Sequence, residues 1–160
     1  MKKFATILLL NLGIIGGMTN IAQGENAATA PEELTQVVAG IEEAANKKDI
    51  EGVINYYSQD FKNSDGLTTA TLEKALTQMW QNYSQLKYTT EIKSWSESGN
   101  ELVAETLTTI KGIQTNAGRQ AQLNSTIRSR QYFQGQKLVR QEILTERSQL
   151  TSGDNPPQVQ

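Results

Sequence analysis

The sequence predicts an α+β fold in which three N-terminal helices pack on a strongly curved antiparallel sheet of four or more strands. Apolar residues at three- and four-residue spacing indicate two helices laid end to end from Pro31 to Phe61. A third helical pattern runs from Thr69 to Tyr83, and the apolar period changes to two from Lys87 onward. Helices followed by strands, rather than alternating with them, are typical of α+β domains.

The first helix is predicted from its apolar stripe and its first turn. Pro31 suits that turn because its missing N–H would be unpaired there, and Glu32 and Glu33 suit the positive end of the helix dipole. The stripe expected to face the core is Leu34, Val37, Val38, Ile41, Ala44 and Ala45. The opposite, polar side is expected to carry Glu33, Gln36, Glu42, Glu43, Asn46 and Lys47.

Two further helices complete the predicted cover of the sheet. Asp49 is expected to cap a short second helix that ends at Asp60-Phe61, with the stripe Ile50, Val53, Ile54 and Tyr57. Thr68 and Thr69 are expected to cap the third helix. Its predicted core residues are Leu72, Ala75, Leu76, Met79 and Tyr83, with Trp80 beside them.

Turn signals divide the rest of the domain into four predicted strands: Lys87 to Ser96, Glu101 to Gln114, Arg119 to Gln134, and Lys137 to Ser148. Gly112 is predicted to form a bulge or bend. A three-residue first turn would bring Tyr88 and Ile92 inward. A two-residue turn at Asn116-Ala117 would place on the core face Leu102, Ala104, Thr106, Thr108 and Ile110.

The last hairpin is predicted to place a polar cluster on the core face. A two-residue turn at Gly135-Gln136 pairs Phe133 with Leu138, Gln131 with Arg140, Ser129 with Glu142, and Ile127 with Leu144. Burying an arginine and a carboxylate is costly unless they pair or keep water. Two interpretations therefore stay open: Arg140 and Glu142 neutralise each other in the core, or they line a wet pocket.

In the pocket interpretation, Arg140 holds an anionic or carbonyl group and Glu142 accepts a hydrogen bond or a proton. The predicted ligand-binding residues are Ser129, Gln131, Arg140, Glu142, Tyr57, Asp60 and Trp80. No catalytic residue is assigned, and Glu142 and Asp60 are the alternatives for a general base. Because Arg140 would lower the pKa of a neighbouring Glu142, the sequence favours binding over catalysis.

The N-terminus has the layout of a secretory signal peptide. A basic start at Lys2 and Lys3 precedes an apolar run from Phe4 to Met18, and cleavage is expected after Gly24. An uncleaved anchor is the alternative. The predicted organisation is a signal peptide over 1–24, a linker over 25–31, a domain over 32–149 and a disordered tail over 150–160. Export to the periplasm or the extracellular space is expected, with no membrane span after cleavage.

The composition excludes several kinds of site. The chain contains neither cysteine nor histidine, which rules out disulfides, thiolate metal sites and a Ser/His/Asp triad. Signal cleavage leaves 13 basic and 17 acidic residues, a net charge of −4 that argues against nucleic acid as a partner. Neither a cofactor nor a metal site is predicted.

The chain resembles the NTF2-like superfamily, which has the cone-shaped fold of nuclear transport factor 2, ketosteroid isomerase and SnoaL-type cyclases. The resemblance rests on the helix pair closing with Tyr56 to Phe61, the helix from Thr69 to Tyr83, and the meander ending with Gly135 to Arg140. It implies a pocket between sheet and helices, and a dimer through the outer face of the sheet. The fold hosts enzymes, transport factors and binding modules, so it does not by itself define a function.

The favoured function is an exported, non-catalytic module that binds a small molecule or a protein partner. The alternative is a small isomerase, cyclase or hydratase with a pocket carboxylate as general base, and a purely structural subunit is the third possibility. A homodimer is expected through the outer face, where apolar residues interrupt the polar ones: Val103, Leu107, Tyr132, Val139 and Ile143.

Overall fold

A computed structural model describes residues 25–26 and 30–153, which form three helices and one six-stranded sheet. The helices are α1 (Glu32–Asn46), α2 (Ile50–Ile54) and α3 (Thr69–Asn82). The strands are β1 (Glu25–Asn26), β2 (Tyr57–Asn63), β3 (Ser84–Ser98), β4 (Glu101–Asn116), β5 (Arg119–Gln134) and β6 (Lys137–Ser152), in the sheet order β1-β3-β4-β5-β6-β2. The predicted α+β class is confirmed. The predicted signal peptide lies outside the described residues, as does the predicted tail beyond residue 153. The predicted start of that tail at residue 150 is wrong, because β6 continues to Ser152 through its pairing with β5.

Helix α1 buries its predicted stripe, and every one of those six residues is at most 8% exposed. Glu42, predicted on the polar side, is also buried, with 9% of its surface exposed. The reason is that α1 lies along the free edge of β3. Asn46 binds the backbone of Tyr88, and the backbone N–H of Thr90 donates to the Glu42 carboxyl group.

Helix α2 is shorter than predicted. Asp49 caps it as expected, accepting a 3.0 Å hydrogen bond from the Gly52 N–H. The helix ends at Ile54, however, and the segment Tyr57–Asn63 forms β2, parallel to β6. The prediction of a helix to Asp60-Phe61 is therefore wrong. Tyrosine and phenylalanine favour strands, and β6 offers an edge whose backbone groups need partners.

Helix α3 is confirmed, including its start. Thr68 and Thr71 form a reciprocal capping box, with the Thr68 N–H 3.0 Å from Thr71 Oγ1 and the Thr71 N–H 3.3 Å from Thr68 Oγ1. The helix buries Leu72, Ala75, Leu76 and Met79, and Tyr83 is buried at its C-terminal end.

Strands β3 to β6 form the predicted antiparallel meander, and its core face is the face that packs on the helices. The turn between β4 and β5 is Ala117-Gly118 rather than Asn116-Ala117, and both turn residues have positive φ, 50° and 79°. Moving the turn by one residue shifts the pairing of β4 with β5 by two residues, which preserves which side chains face inward. The residues predicted on the core face of β4 are confirmed there, with Leu102 only partly buried.

Tyr88 and Ile92 face inward as predicted, but the cause is not the predicted three-residue turn. The first hairpin has the two-residue turn Gly99-Asn100, and a register shift between Ile92 and Ser94 turns the earlier part of β3 inward. Gly112 forms no bulge with β5, because it pairs with Leu123 in continuous register. Its role is to leave room for Leu86, whose Cδ2 atom would lie 2.6 Å from a Cβ at this position.

Candidate functional site

The β5–β6 register decides which side chains face the interior. Phe133 pairs with Leu138 as predicted, but Tyr132 pairs with Arg140 and Gln131 with Gln141. An extra residue at Val139 therefore forms a bulge, and a one-residue shift moves every following side chain to the opposite face. The predicted pairs Gln131–Arg140 and Ser129–Glu142 are wrong.

A second bulge follows at Leu144. Ser129 faces Ile143 and Ile127 faces Glu146, instead of Glu142 and Leu144. Leu144, predicted to be inside, is 38% exposed. The shift at Val139 already turns Leu144 outward, and the second extra residue reverses the faces again from Thr145 onward, so that Glu146 faces inward opposite Ile127.

Arg140 and Glu142 consequently lie on the outer face and do not neutralise each other. Arg140 forms two hydrogen bonds to the Glu101 carboxylate, at 3.1 and 3.2 Å, and its guanidinium carbon lies 3.8 Å from the centre of the Tyr132 ring. Glu142 pairs instead with Arg130 at 3.1 Å. The buried Arg140–Glu142 pair expected from the sequence is not formed.

Three amide side chains take the interior positions instead. Gln131, Gln141 and Asn63 are successive cross-strand neighbours on β5, β6 and β2, with 0%, 2% and 7% of their surfaces exposed. We name these three residues the amide row. Ser129 lies beside it, since its Oγ accepts a 3.2 Å hydrogen bond from Gln141 Nε2 and lies 3.2 Å from Thr106 Oγ1.

Four buried polar atoms of the amide row have no hydrogen-bond partner among the described residues: Gln131 Nε2 and Oε1, Gln141 Oε1 and Asn63 Nδ2. Asn63 Oδ1, in contrast, accepts from the N–H groups of Asp65 and Leu67 at 3.0 and 2.7 Å. A buried polar group left unpaired costs about 1–3 kcal/mol. Gln131 is the extreme case, because both ends of its amide are free.

Two phenols and an indole lie in the same interior. Tyr57 pairs with Leu138, the inward residue that precedes Gln141 along β6, and its buried hydroxyl has no hydrogen-bond partner in the protein. Trp80 Nε1 donates to the Tyr88 hydroxyl at 3.0 Å. Burial raises the pKa of Tyr57 far above its ordinary value and that of Tyr88 to about 12. Both phenols are therefore neutral at physiological pH.

The predicted site residues thus separate into two groups. Ser129 and Gln131 meet in the interior, Tyr57 lies close to the amide row, and Trp80 is half-buried against Tyr88. Arg140, Glu142 and Asp60 stay outside, Asp60 as an exposed residue of β2.

Gln141 and Asn63 were not predicted as site residues. A signal for Gln141 exists in β6, where the adjacent apolar pairs Leu138-Val139 and Ile143-Leu144 break the alternation expected of a regular strand. Each pair contains one of the bulged residues. Asn63 could not be assigned, because its strand was predicted to be the end of a helix as far as Phe61 and a turn after it.

Glu42 is a third residue that sequence reasoning missed. Burial raises the pKa of its carboxyl group to about 7, against the opposing effects of the Thr90 N–H and of Lys87. Its Oε2 atom is buried and has no hydrogen-bond partner within residues 25–26 and 30–153. Glu146 lies near the amide row, and burial and the charge of Asp65 raise the pKa of its carboxyl group, as burial does for Glu42.

Two kinds of feature were not found among residues 25–26 and 30–153. No group of three or more potential side-chain ligands could hold a metal ion. No helix in this part of the chain is long and apolar enough to cross a membrane.

The chain matches no protein-family model and no curated protein. Among solved structures, it is similar to a protein from Novosphingobium aromaticivorans named after scytalone dehydratase, with a TM-score of 0.59, 13% identity, and coverage of 73% of this chain and 84% of that one. An NTF2-like protein of unknown function from Burkholderia pseudomallei gives a TM-score of 0.51 and 20% identity, covering 71% and 90% of the two chains.

A third similar structure is Bd1075 from Bdellovibrio bacteriovorus, with a TM-score of 0.49 and 17% identity over 70% of this chain. This chain spans only 39% of that protein. At such identities the likeness concerns the fold alone. The chain has the NTF2-like cone fold that the sequence predicted.

Proposed function

We propose that this chain is a non-catalytic module that binds a small polar molecule at the amide row. The observation that carries the proposal is Gln131, whose amide is fully buried with neither end paired to any group in the part of the chain that the structure describes. Free donors and acceptors on neighbouring Gln141 and Asn63 add to it. A bound molecule with its own donors and acceptors would pair these groups and offset the cost of burying them.

Access to the row requires local movement, because its polar atoms are covered. The segment 64–68 between β2 and α3 closes the Asn63 end of the row. It is held to β6 by the Ser64 N–H on the Gln141 carbonyl and by the Ile143 N–H on Ser64 Oγ, both at 2.9 Å. For the segment to lift, these two hydrogen bonds must break, as must those that the Asp65 and Leu67 N–H groups donate to Asn63 Oδ1, and the buried Leu67 side chain must leave the core. We assign this segment the role of gate.

A second candidate function is an isomerase, cyclase or hydratase that uses Glu42 as general base. Glu142 and Asp60 do not face the interior, whereas Glu42 is buried, has a free Oε2 and a pKa of about 7. A general base works best with a pKa near the working pH. Chemical conversion of the ligand by the parent and by Glu42→Gln separates the two candidates. A binding module converts the ligand in neither protein, whereas an enzyme that uses Glu42 converts it only in the parent.

The binding function is tested by a thermal-shift screen of a metabolite library, with native mass spectrometry of the exported chain. Gln131→Leu keeps a similar volume and removes the free amide, so we expect it to lose the response to any ligand that stabilises the parent. Gln134→Leu is the matched control, because Gln134 lies on the same strand but is exposed. Equal ligand responses in the parent and Gln131→Leu would contradict the proposal.

Export and dimerisation are part of this proposal. The intact mass of the exported protein tests cleavage after Gly24.

Ile143 does not belong to the predicted dimer surface, because its side chain faces inward opposite Ser129. The remaining apolar side chains of that surface are Val103, Leu107, Tyr132 and Val139. Light scattering at tens of micromolar, order of magnitude, should show a dimer, and a monomer alone would argue against a stable interface.

A further inference from the structure

A second polar surface lies on the outer face, at the end of the sheet away from Gly135. It is a groove of about 390 Å³ across β4, β5 and β6, within the size range of small-molecule sites. Its polar lining is formed by Gln85, Lys111, Gln122, Asn124, Gln149 and Thr151. Part of its floor is apolar and is formed by the outward-facing side chain of Ile113, whereas the side chain of Leu123 is buried in the core.

These polar side chains differ from those on the rest of the outer face in having no partners. Towards the Gly135 end, the charged groups pair with one another: Arg140 with Glu101, Arg130 with Glu142, and Arg128 with Glu105. In the part of the chain that the structure describes, the six polar side chains of the groove form no hydrogen bonds or ion pairs with other protein groups. Their donors and acceptors are therefore available to a ligand.

Among the described residues, the charged side chains at the groove are basic. Lys111 lines it, and Arg147 lies two residues before Gln149 on the same face of β6, about 7 Å away along the strand. No carboxylate belongs to the described lining. The chain as a whole is acidic, with a net charge of −2, so this surface is a local exception that favours an anionic ligand.

The backbone adds an independent observation. Gln85, at the rim of the groove, has a φ of 52°, in the left-handed region that residues other than glycine seldom adopt. The register of β3 against β4 is irregular at the same place, between Ser84 and Lys87. Strained residues of this kind concentrate at binding sites, because the strain must be retained by the surrounding structure.

We propose that this groove binds an acidic sugar, a hydroxyl-rich ring that carries one carboxylate. Each amide offers one donor group and one acceptor, which matches the mixed donor and acceptor character of sugar hydroxyls. Lys111 pairs with the carboxylate, and the apolar floor packs against the C–H face of the ring. The described lining contains no aromatic side chain on which a nucleobase could stack, so a single-stranded nucleic acid fits it poorly.

The test is an NMR titration of the ¹⁵N-labelled exported chain with methyl β-D-glucuronide at up to tens of millimolar, order of magnitude. We expect shifts at residues 111–113, 122–124 and 149–151, with much weaker effects from methyl β-D-glucoside, which lacks the carboxylate. Glutarate, which lacks the ring hydroxyls, should also bind more weakly. A short oligothymidylate tests the nucleic-acid alternative.

Two variants separate the groove from a general charge effect. Lys111→Met should weaken glucuronide binding by about tenfold, because a charge-assisted hydrogen bond is lost. Lys74→Met, which removes the same charge from the exposed side of α3, should leave the affinity unchanged. Equal binding of glucoside and glucuronide, equal loss in both variants, shifts outside the groove, tighter binding of oligothymidylate, or no binding at all would each overturn the proposal.

Discussion

Asn46 pairs with Tyr88 through two hydrogen bonds, as a neighbouring strand would. Its Nδ2 donates to the Tyr88 carbonyl at 3.1 Å, and its Oδ1 accepts from the Tyr88 N–H at 2.8 Å. β1 pairs with β3 only at Ser94 and Trp95, so the earlier part of that edge depends on α1. An uncovered edge would present unpaired backbone groups to other chains.

Replacing Asn46 should expose this edge. We expect Asn46→Ala to lower the free energy of unfolding by about 1–3 kcal/mol, because the N–H and carbonyl of Tyr88 lose their partners. Urea unfolding measures the change. Lys47→Ala, at the next and exposed position, is the control and should change stability by less than about 0.5 kcal/mol. Equal stability of the two variants would contradict the role assigned to Asn46.

Glu42 should make stability depend on pH. The pKa of its carboxyl group rises from 4.5 to about 7 on folding, so the folded chain retains a proton that the unfolded chain releases within that window. The contribution of the group to stability is therefore complete below about pH 4.5 and is lost as the pH rises through about 7. The loss is at most about 1.4 kcal/mol per pH unit.

Glu42→Gln removes this ionisation and should retain the acceptor for the Thr90 N–H. We expect the variant to be more stable than the parent above pH 7, with a difference that shrinks towards the acidic end of the window. Urea unfolding at several pH values measures both curves. Parallel curves would show that the Glu42 carboxyl group titrates alike in the folded and unfolded chains.

The outward placement of Arg140 and Glu142 predicts mild effects when either is replaced. Their side chains are 50% and 47% exposed, whereas Glu101, the partner of Arg140, is 13% exposed. Exposed pairs contribute about 0–1 kcal/mol, so Glu142→Gln should melt close to the parent. Arg140→Leu should cost somewhat more, because it leaves the largely covered Glu101 carboxylate without its partner. A loss of about 3 kcal/mol in either variant would indicate a buried pair and a register without the bulge at Val139.

Gly112 should not tolerate a side chain. A Cβ there would lie 2.6 Å from Leu86 Cδ2 and 3.4 Å from the Ser84 carbonyl oxygen. Gly112→Ala should destabilise the fold by about 1–3 kcal/mol, the usual cost of overpacking, as measured by thermal or urea unfolding. The double variant Gly112→Ala with Leu86→Ala tests the cause, because removing the Leu86 branch should recover part of the loss. A double variant that shows only the sum of two losses would exclude this contact as the cause.

The helices were predictable because their signals are local. The apolar stripe of α1 and the Thr68 cap of α3 each depend on residues within one or two turns. The faces of β4 were predictable for a different reason: moving the turn by one residue shifts the pairing with β5 by two, which leaves inward positions inward. β2 was missed because its parallel pairing with β6 joins segments about eighty residues apart.

The interior site was only half predictable. Ser129 and Gln131 follow from alternation along β5, which has the predicted faces throughout. On β6, the bulges at Val139 and Leu144 depend on the curvature of the whole sheet, and each one reverses the faces that follow it. For that reason Gln141 and Asn63, rather than Arg140 and Glu142, complete the site.

The central claim is that the buried amide of Gln131 serves binding rather than folding. The most direct measurement is the free energy of unfolding of Gln131→Leu without ligand, against the parent and the exposed control Gln134→Leu. Because neither end of the amide is paired in the protein, we expect Gln131→Leu to be as stable as the parent within about 1 kcal/mol, or more stable. A loss of more than about 2 kcal/mol, absent from the control, would show that the amide stabilises the fold and would contradict the claim.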